Sequence, residues 1–199
     1  MANTDPGAYN GFQQYSGTGS APTYEQVAVA IAYNSTNIFF GDPVNPDTSG
    51  YIVQGVTSSG SGNTQVAGVF VGCKYLSAAQ KRVVWSNYYP GGTDPQSGTI
   101  EGYIVNDPNA KFVAWSNVTG LTQADVNANI GFNIGSGNTS TGISGAFLAT
   151  IGNDASLPFR VVSLLSAPPG VNGTESGAYA KAIVAFNNVS TKQLTGVAS

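Results

Sequence analysis

From Ile38 to Tyr75 the chain sets two apolar runs, Ile38-Phe39-Phe40-Gly41-Asp42-Pro43-Val44 and Val66-Ala67-Gly68-Val69-Phe70-Val71-Gly72-Cys73-Lys74-Tyr75, on either side of a band of Gly, Ser, Thr and Asn. Apolar runs bounded by turn formers belong to strands that return through open turns rather than to a helix. Asp42-Pro43 marks a tight turn, because Pro fixes φ at the second turn position and the Asp side chain accepts a bond from backbone nearby. The stretch predicts a mainly β fold, either a barrel or a jelly-roll-like sandwich.

The rest of the chain repeats that grammar. Val27-Ala28-Val29-Ala30-Ile31-Ala32-Tyr33 alternates strictly, which predicts a strand whose large residues enter the core while its alanine face admits another element at close range. Further strands are expected at Tyr51-Ile52-Val53, Lys81 to Trp85, Ile100 to Val105, Lys111 to Trp115, Phe147 to Ile151, Leu157 to Leu165 and Ala178 to Phe186. A flexible turn is expected at 58–63, a strand stop at Ala167-Pro168-Pro169-Gly170, and a hairpin around Asp107-Pro108. Thr122-Gln123-Ala124-Asp125 reads as a capping box opening one short helix over about 122–130, which Gly131 stops. Residues 1–22 show neither period and interleave Gly with Tyr9, Phe12 and Tyr15, so they are read as an extended N-terminal arm lying on a neighbour. Residues 23–199 then form a single β-rich domain, with a possible subdivision near 116–120.

Composition narrows the function. Charged residues make up 9% of the 199, against roughly a quarter in ordinary soluble proteins. A surface built from neutral polar groups loses little hydration when it meets another protein. The seven basic residues are dispersed and the net charge is −3, which gives no electrostatic footprint for nucleic acid. No run of about 18 apolar residues predicts a membrane span, and Met1 to Gly7 lacks the basic leader and apolar core of a signal peptide. Assembly in a cytoplasm is therefore expected.

Catalytic chemistry is sparse. Histidine is absent and Cys73 is the one cysteine, which excludes Ser-His-Asp and Cys-His machinery and a thiolate metal cage. Gly142-Ile143-Ser144-Gly145-Ala146 approaches a nucleophile elbow but lacks its final Gly. Asp5, Asp42, Asp94 and Asp107 each precede Pro and have turn-building explanations, and Asp125 belongs to the capping box. Asp47, Asp154, Glu25, Glu101 and Glu175 remain, and Glu101 with Asp47 or Asp154 is the one conceivable carboxylate dyad. The spaced acidic pattern of a calcium loop is missing. The expectation is no enzyme, no cofactor and no metal.

The order Ile38 to Val44, Val69-Phe70-Val71-Gly72, Val105-Asn106-Asp107-Pro108-Asn109-Ala110-Lys111-Phe112 and Ala185-Phe186-Asn187-Asn188 resembles the cement, or head decoration, proteins of tailed bacteriophages. The resemblance spans roughly residues 27–197 and rests on turn and strand motifs. It implies a structural virion protein on the capsid exterior, bound to the major capsid protein and often a homotrimer, with an arm that bridges subunits. Under that reading Tyr9, Phe12, Tyr15, Tyr88 and Tyr89 are the partner-binding candidates. Deleting residues 1–22 should then leave a folded protein that no longer binds shells. The alternative is a glycan-binding module of a head fibre or tail, which would read host glycans through Tyr88, Tyr89 and the loop 135–142. Trp85 and Trp115 are further candidate stacking surfaces.

Overall fold

The computed structural model describes residues 7–17, 26–56, 65–98, 100–118, 120–165 and 179–192. The turn expected at 58–63, the stop at 167–170, Glu25, Glu175 and residues 1–6 and 18–22 of the expected arm lie outside them. The strands, in chain order, are β1 (Gln13–Ser16), β2 (Val27–Ala30), β3 (Ile38–Phe39), β4 (Pro43–Pro46), β5 (Ile52–Gln54), β6 (Gly68–Leu76), β7 (Val83–Ser86) and β8 (Tyr88–Tyr89). They continue with β9 (Glu101–Val105), β10 (Lys111–Trp115), β11 (Asn129–Asn133), β12 (Phe147–Gly152), β13 (Phe159–Leu164) and β14 (Lys181–Phe186).

These strands make an open sandwich of antiparallel sheets, and no barrel closes among the described residues. The first sheet has the order β1-β10-β14-β13-β11-β12, and the second runs β2-β9-β6-β4-β5 with β7 also paired to β6. A two-stranded ribbon of β3 and β8 pairs with neither sheet and packs against β6 of the second. Phe112, Phe132, Phe159, Val161 and Val184 of the first sheet bury against Val69 and Val105 of the second. Opposite faces of the same strands supply Phe70, Cys73, Tyr75 and Ile104 to a second cluster with Ile31, Ile38, Ile52 and Tyr89. Strands buried on both faces read as unbroken apolar runs, which is why β6 shows no alternation. The main core draws on residues from both sides of 116–120.

Three local expectations change. The first is the arm. Gln13–Ser16 is an edge strand paired with Lys111–Val113, and Phe12 is 1% exposed, with its ring stacked on Phe159 at 4.6 Å. The Phe12 N–H donates to the Gly41 carbonyl (2.9 Å), and Gly11 at φ +66° lets the backbone pass where a Cβ would stand 2.7 Å from that of Ser144. Gly-aromatic spacing here serves close packing inside the chain, with glycine making room for an aromatic of the core.

The second change is the hairpin around Asp107-Pro108. The turn forms, with the Asn109 N–H donating to Asp107 Oδ1 (2.9 Å) and the Ala110 N–H to the Asp107 carbonyl (2.9 Å). Yet β9 pairs with β2 and β6 while β10 pairs with β1 and β14, so the turn carries the chain from one sheet to the other. Both strands are half-buried and each finds its partners from distant sequence, which local turn chemistry does not encode.

The third is the helix. The capping box is present, with the Thr122 N–H donating to Asp125 Oδ2 (2.7 Å), but it opens a single 3-10 turn, Gln123–Asp125. Asn127 takes φ +76° and its N–H donates to the Val161 carbonyl (2.8 Å), after which Asn129–Asn133 pairs with β12 and β13. Burial of Ile130 and Phe132 in the main core outweighs the propensity of a two-turn helix, which is marginal by itself.

Candidate interaction surface

A bulge in β6 organises the surface of the second sheet. Across it the register runs Val69–Val105, Phe70–Ile104, Gly72–Tyr103 and Lys74–Glu101, so Val71 is the extra residue. Bulged residues share one side of the strand, which places Val69, Val71, Gly72 and Lys74 on the same face, together with Val105, Tyr103 and Glu101 of β9. Val69 and Val105 lie in the main core with Val71 packed against it. Beyond the bulge the same face emerges uncovered by any described residue of the first sheet.

That emergent half is a shelf four strands wide. Ala28 and Ala30 on β2 stand opposite Tyr103 and Glu101, while Trp85 on β7 stands opposite Lys74 and Val83 opposite Leu76. Trp85 is 56% exposed and Val83 58%, and both alanines face solvent. The indole lies across Gly72, where a Cβ would come within 2.7 Å of Trp85 Cζ2, and leans on Tyr103 with ring centroids 5.0 Å apart. Lys74 Nζ sits 3.6 Å from Glu101 Oε2, an exposed pair of little energetic weight that cancels the charge of the shelf. Lateral to the bulge, a groove of about 490 Å³ opens among Phe12, Gln14, Gln26, Phe40 and Val71.

The five aromatics singled out by sequence scatter. Tyr15 is 53% exposed on the edge strand β1. Tyr9 packs on Phe147 with centroids 4.4 Å apart, and Tyr88 stacks on Phe39 at 5.6 Å. Phe12 and Tyr89 are corrections, since each is buried within this chain and offers no ring to a partner. Tyr89 is wholly enclosed, its hydroxyl donates to the Tyr33 carbonyl (2.7 Å), and burial pushes its pKa up to about 12. An apolar strand needs a filler there, and Tyr fills the space while its hydroxyl finds one acceptor. Trp115 is occupied by Lys181, whose Nζ lies 4.5 Å from the ring centroid.

Among the described residues, the candidate acids resolve into structural roles. Glu101 pairs with Lys74, Asp47 accepts from the Ser49 N–H in the β4–β5 turn, and Asp154 accepts from the Ser156 N–H (2.8 Å) in the loop after β12. The backbone bond from Ser156 holds Asp154 below the usual carboxylate range. Asp94 is held low in the same way, by the Ala79 N–H and then the Ser77 hydroxyl. Among the described residues no group of three His, Cys, Asp or Glu side chains is placed to hold a metal ion.

Asp42 is the exception, and sequence reasoning gave it no more than a turn. It is fully enclosed, accepting from the Phe39 N–H (2.8 Å), the Gln54 amide (3.0 Å) and the Ser144 hydroxyl. Burial raises its pKa, and the bonds from Phe39, Ser144 and Gln54 oppose that rise. The near-elbow serine is thus a strut: it donates to Asp42 and accepts from the Ala146 N–H (2.8 Å), and its side chain is buried. Cys73 is equally inert, with burial lifting its thiol pKa to about 12. No helix among the described residues is long and apolar enough to cross a membrane.

Comparison with protein-family models, with curated proteins and with solved structures finds no match to this chain.

The shelf escaped the sequence reading although its signal was visible. The alternation of Val27-Ala28-Val29-Ala30 announced an alanine face open to close approach, and Trp85 stood out as a candidate stacking surface. What joined them was the bulge, which sequence does not display.

Proposed function

We propose that this chain is a structural protein of a tailed-phage virion that adheres to the outer surface of the capsid and cements the lattice of the major capsid protein. The observation that carries the reading is the shelf of Ala28, Ala30, Gly72, Trp85 and Tyr103. Here a sheet face continues out of the core with small residues, two aromatics and a neutralised ion pair. Large exposed apolar surfaces rimmed by polar groups belong to interaction sites, and Trp and Tyr are the residues that most often dominate such contacts. Because the partner docks on a preformed sheet, little ordering entropy opposes binding. Many copies on one shell multiply a modest contact through avidity, and a homotrimer would strengthen each attachment further. Adhesion of this kind requires no reacting group.

Co-sedimentation tests it. Purified protein mixed with shells assembled from the major capsid protein of the same phage should pellet with them to a saturating stoichiometry. It should also raise the temperature at which the shells dissociate. Trp85→Ala combined with Tyr103→Ala should weaken attachment by about thirtyfold or more, the scale of an aromatic hot spot. Failure of the wild-type protein to pellet with shells, together with its absence from purified particles, would overturn the assignment.

A further inference from the structure

The segment 7–10 and the loop 135–147 enclose a cleft of about 440 Å³, a volume within the range of small-molecule sites. Its apolar wall is the Tyr9–Phe147 ring pair, tilted by 31°, with the exposed Ile143 beside it. Its polar wall carries Asn10, Ser136, Asn138 and Thr141, all exposed to solvent, and no Lys, Arg, Asp or Glu lines it.

The walls are already set. Asn138 Oδ1 accepts from the N–H groups of Ser140 (2.9 Å) and Thr141 (3.3 Å), the Gly142 N–H donates to the Asn138 carbonyl (2.7 Å), and the Asn138 N–H donates to the Ile143 carbonyl (2.9 Å). Asn87 Nδ2 donates to the Thr141 carbonyl (2.7 Å), which ties the loop to the residue preceding Tyr88. Phe40 and Ser144 exchange backbone bonds across the loop's end, with Phe40 donating to the Gly142 carbonyl (2.9 Å) and Ser144 to the Phe40 carbonyl (3.0 Å). Loop geometry is therefore fixed before any ligand arrives, which limits the entropic cost of binding.

We infer that this cleft is a saccharide site taking an uncharged pyranose of an oligosaccharide. A pyranose presents a patch of C–H groups on one ring face and hydroxyls, each donor and acceptor at once, around its rim. The electron-rich face of an aromatic ring meets the first, and neutral amides and hydroxyls meet the second. With its carbonyl oxygen committed to the loop, Asn138 keeps its amide hydrogens to donate, and the hydroxyls of Ser136 and Thr141 serve in either sense. A phosphate or carboxylate ligand would enter with no countercharge, which disfavours anions. The site stands independently of capsid adhesion and involves none of the shelf residues.

The test is an array of neutral hexose and N-acetylhexosamine oligosaccharides printed beside sulfated and phosphorylated counterparts, probed with the full chain and followed by calorimetry on the strongest neutral hit. Neutral glycans should bind. Tyr9→Ala should lose about tenfold in affinity, Asn10→Ala should weaken binding severalfold, and Trp85→Ala should bind as wild type does. Asn10 is exposed, so its variant keeps the test valid should Tyr9→Ala fail to fold. Folded wild-type protein that binds no neutral glycan, that prefers the anionic prints, or that loses binding with Trp85→Ala but not with the cleft variants would overturn the inference. Shell co-sedimentation is read separately, so either assignment can fail without the other.

Discussion

The strands β6 and β9 carry one continuous face with two fates. Before the bulge, Val69 and Val105 lie under Phe112 and its neighbours at no more than 2% exposure, while beyond it Trp85, opposite Lys74, is 56% exposed. The two halves differ little in polarity, for the uncovered half holds two aromatics, a glycine, two alanines and one internally neutralised ion pair. The difference lies in what covers them. An apolar sheet face left open by the described residues is half of a sandwich, and under the proposed function the capsid protein would supply the other half.

The sharpest way to break this comparison is to remove the cover. Phe12 packs among the residues that close over Val69 and Val105, so Phe12→Ala should cost about 3–5 kcal/mol. That would lower the melting temperature by about 10 °C in a chain of this size. Deleting residues 1–16 should be worse, because it strips Phe12 and the edge strand Gln13–Ser16 together. Circular dichroism on the truncated chain decides the matter: a fully folded, equally stable product would show that the segment is a detachable arm after all.

Substitution within the face gives the next effects in size. Val69→Ala, on the covered half, should cost about 2 kcal/mol by loss of buried methyls and the space they leave. Trp85→Ala, on the uncovered half, should cost about 1 kcal/mol or less, since the ring leans on Tyr103 but remains largely in water. Shell attachment should invert that ranking, with Val69→Ala binding normally once folded and Trp85→Ala binding poorly. Denaturation midpoints and co-sedimentation measured on the same preparations check both rankings. Equal losses of stability would mean the shelf is covered by its own chain.

Much of this was legible in the sequence, and the failures share a cause. The strands β2, β5, β6, β7, β9, β10, β12, β13 and β14 follow from apolar runs bounded by turn formers, because burial on one or both faces leaves a local trace, whereas β8 reads as loop and β11 as the end of a helix. Partner choice leaves none. Asp107-Pro108 builds the expected turn, yet whether that turn closes a hairpin or crosses between sheets depends on strands whose register partners lie 27 to 100 residues away in sequence. Thr122 and Asp125 build the expected cap, yet the helix yields to the pairing of Asn129–Asn133. Tyr88 and Tyr89 are neighbours of one type with different fates, because alternation in β8 points one ring into the second core cluster and the other onto Phe39. Neither the bulge at Val71 nor the convergence of Gly11, Asp42 and Ser144 has a signature within any short window.

The smallest effect probes the boundary between the two halves. Asp42 holds that boundary: the Phe70 N–H donates to its carbonyl (2.8 Å) just before the bulge, and its carboxylate takes the Ser144 hydroxyl from the loop preceding β12. Its folded pKa lies above the ordinary carboxylate value of 3.8 because burial outweighs the bonds to the charged form. The stability this group contributes is therefore complete below pH 3.8 and is lost as pH rises through the raised folded value. Asp42→Asn keeps an oxygen for the Phe39 and Gln54 donors and offers an amide to Ser144 Oγ, while carrying no charge. Relative to this variant, the wild-type protein should lose stability with increasing pH, by up to about 1.4 kcal/mol per pH unit while the proton leaves, and then run parallel to it. Urea midpoints of both proteins measured from about pH 3 to pH 7 give the difference directly. If the wild type instead gains on the variant as pH rises, the three hydrogen bonds outweigh desolvation, and Asp42 clamps the boundary as a stabilised anion.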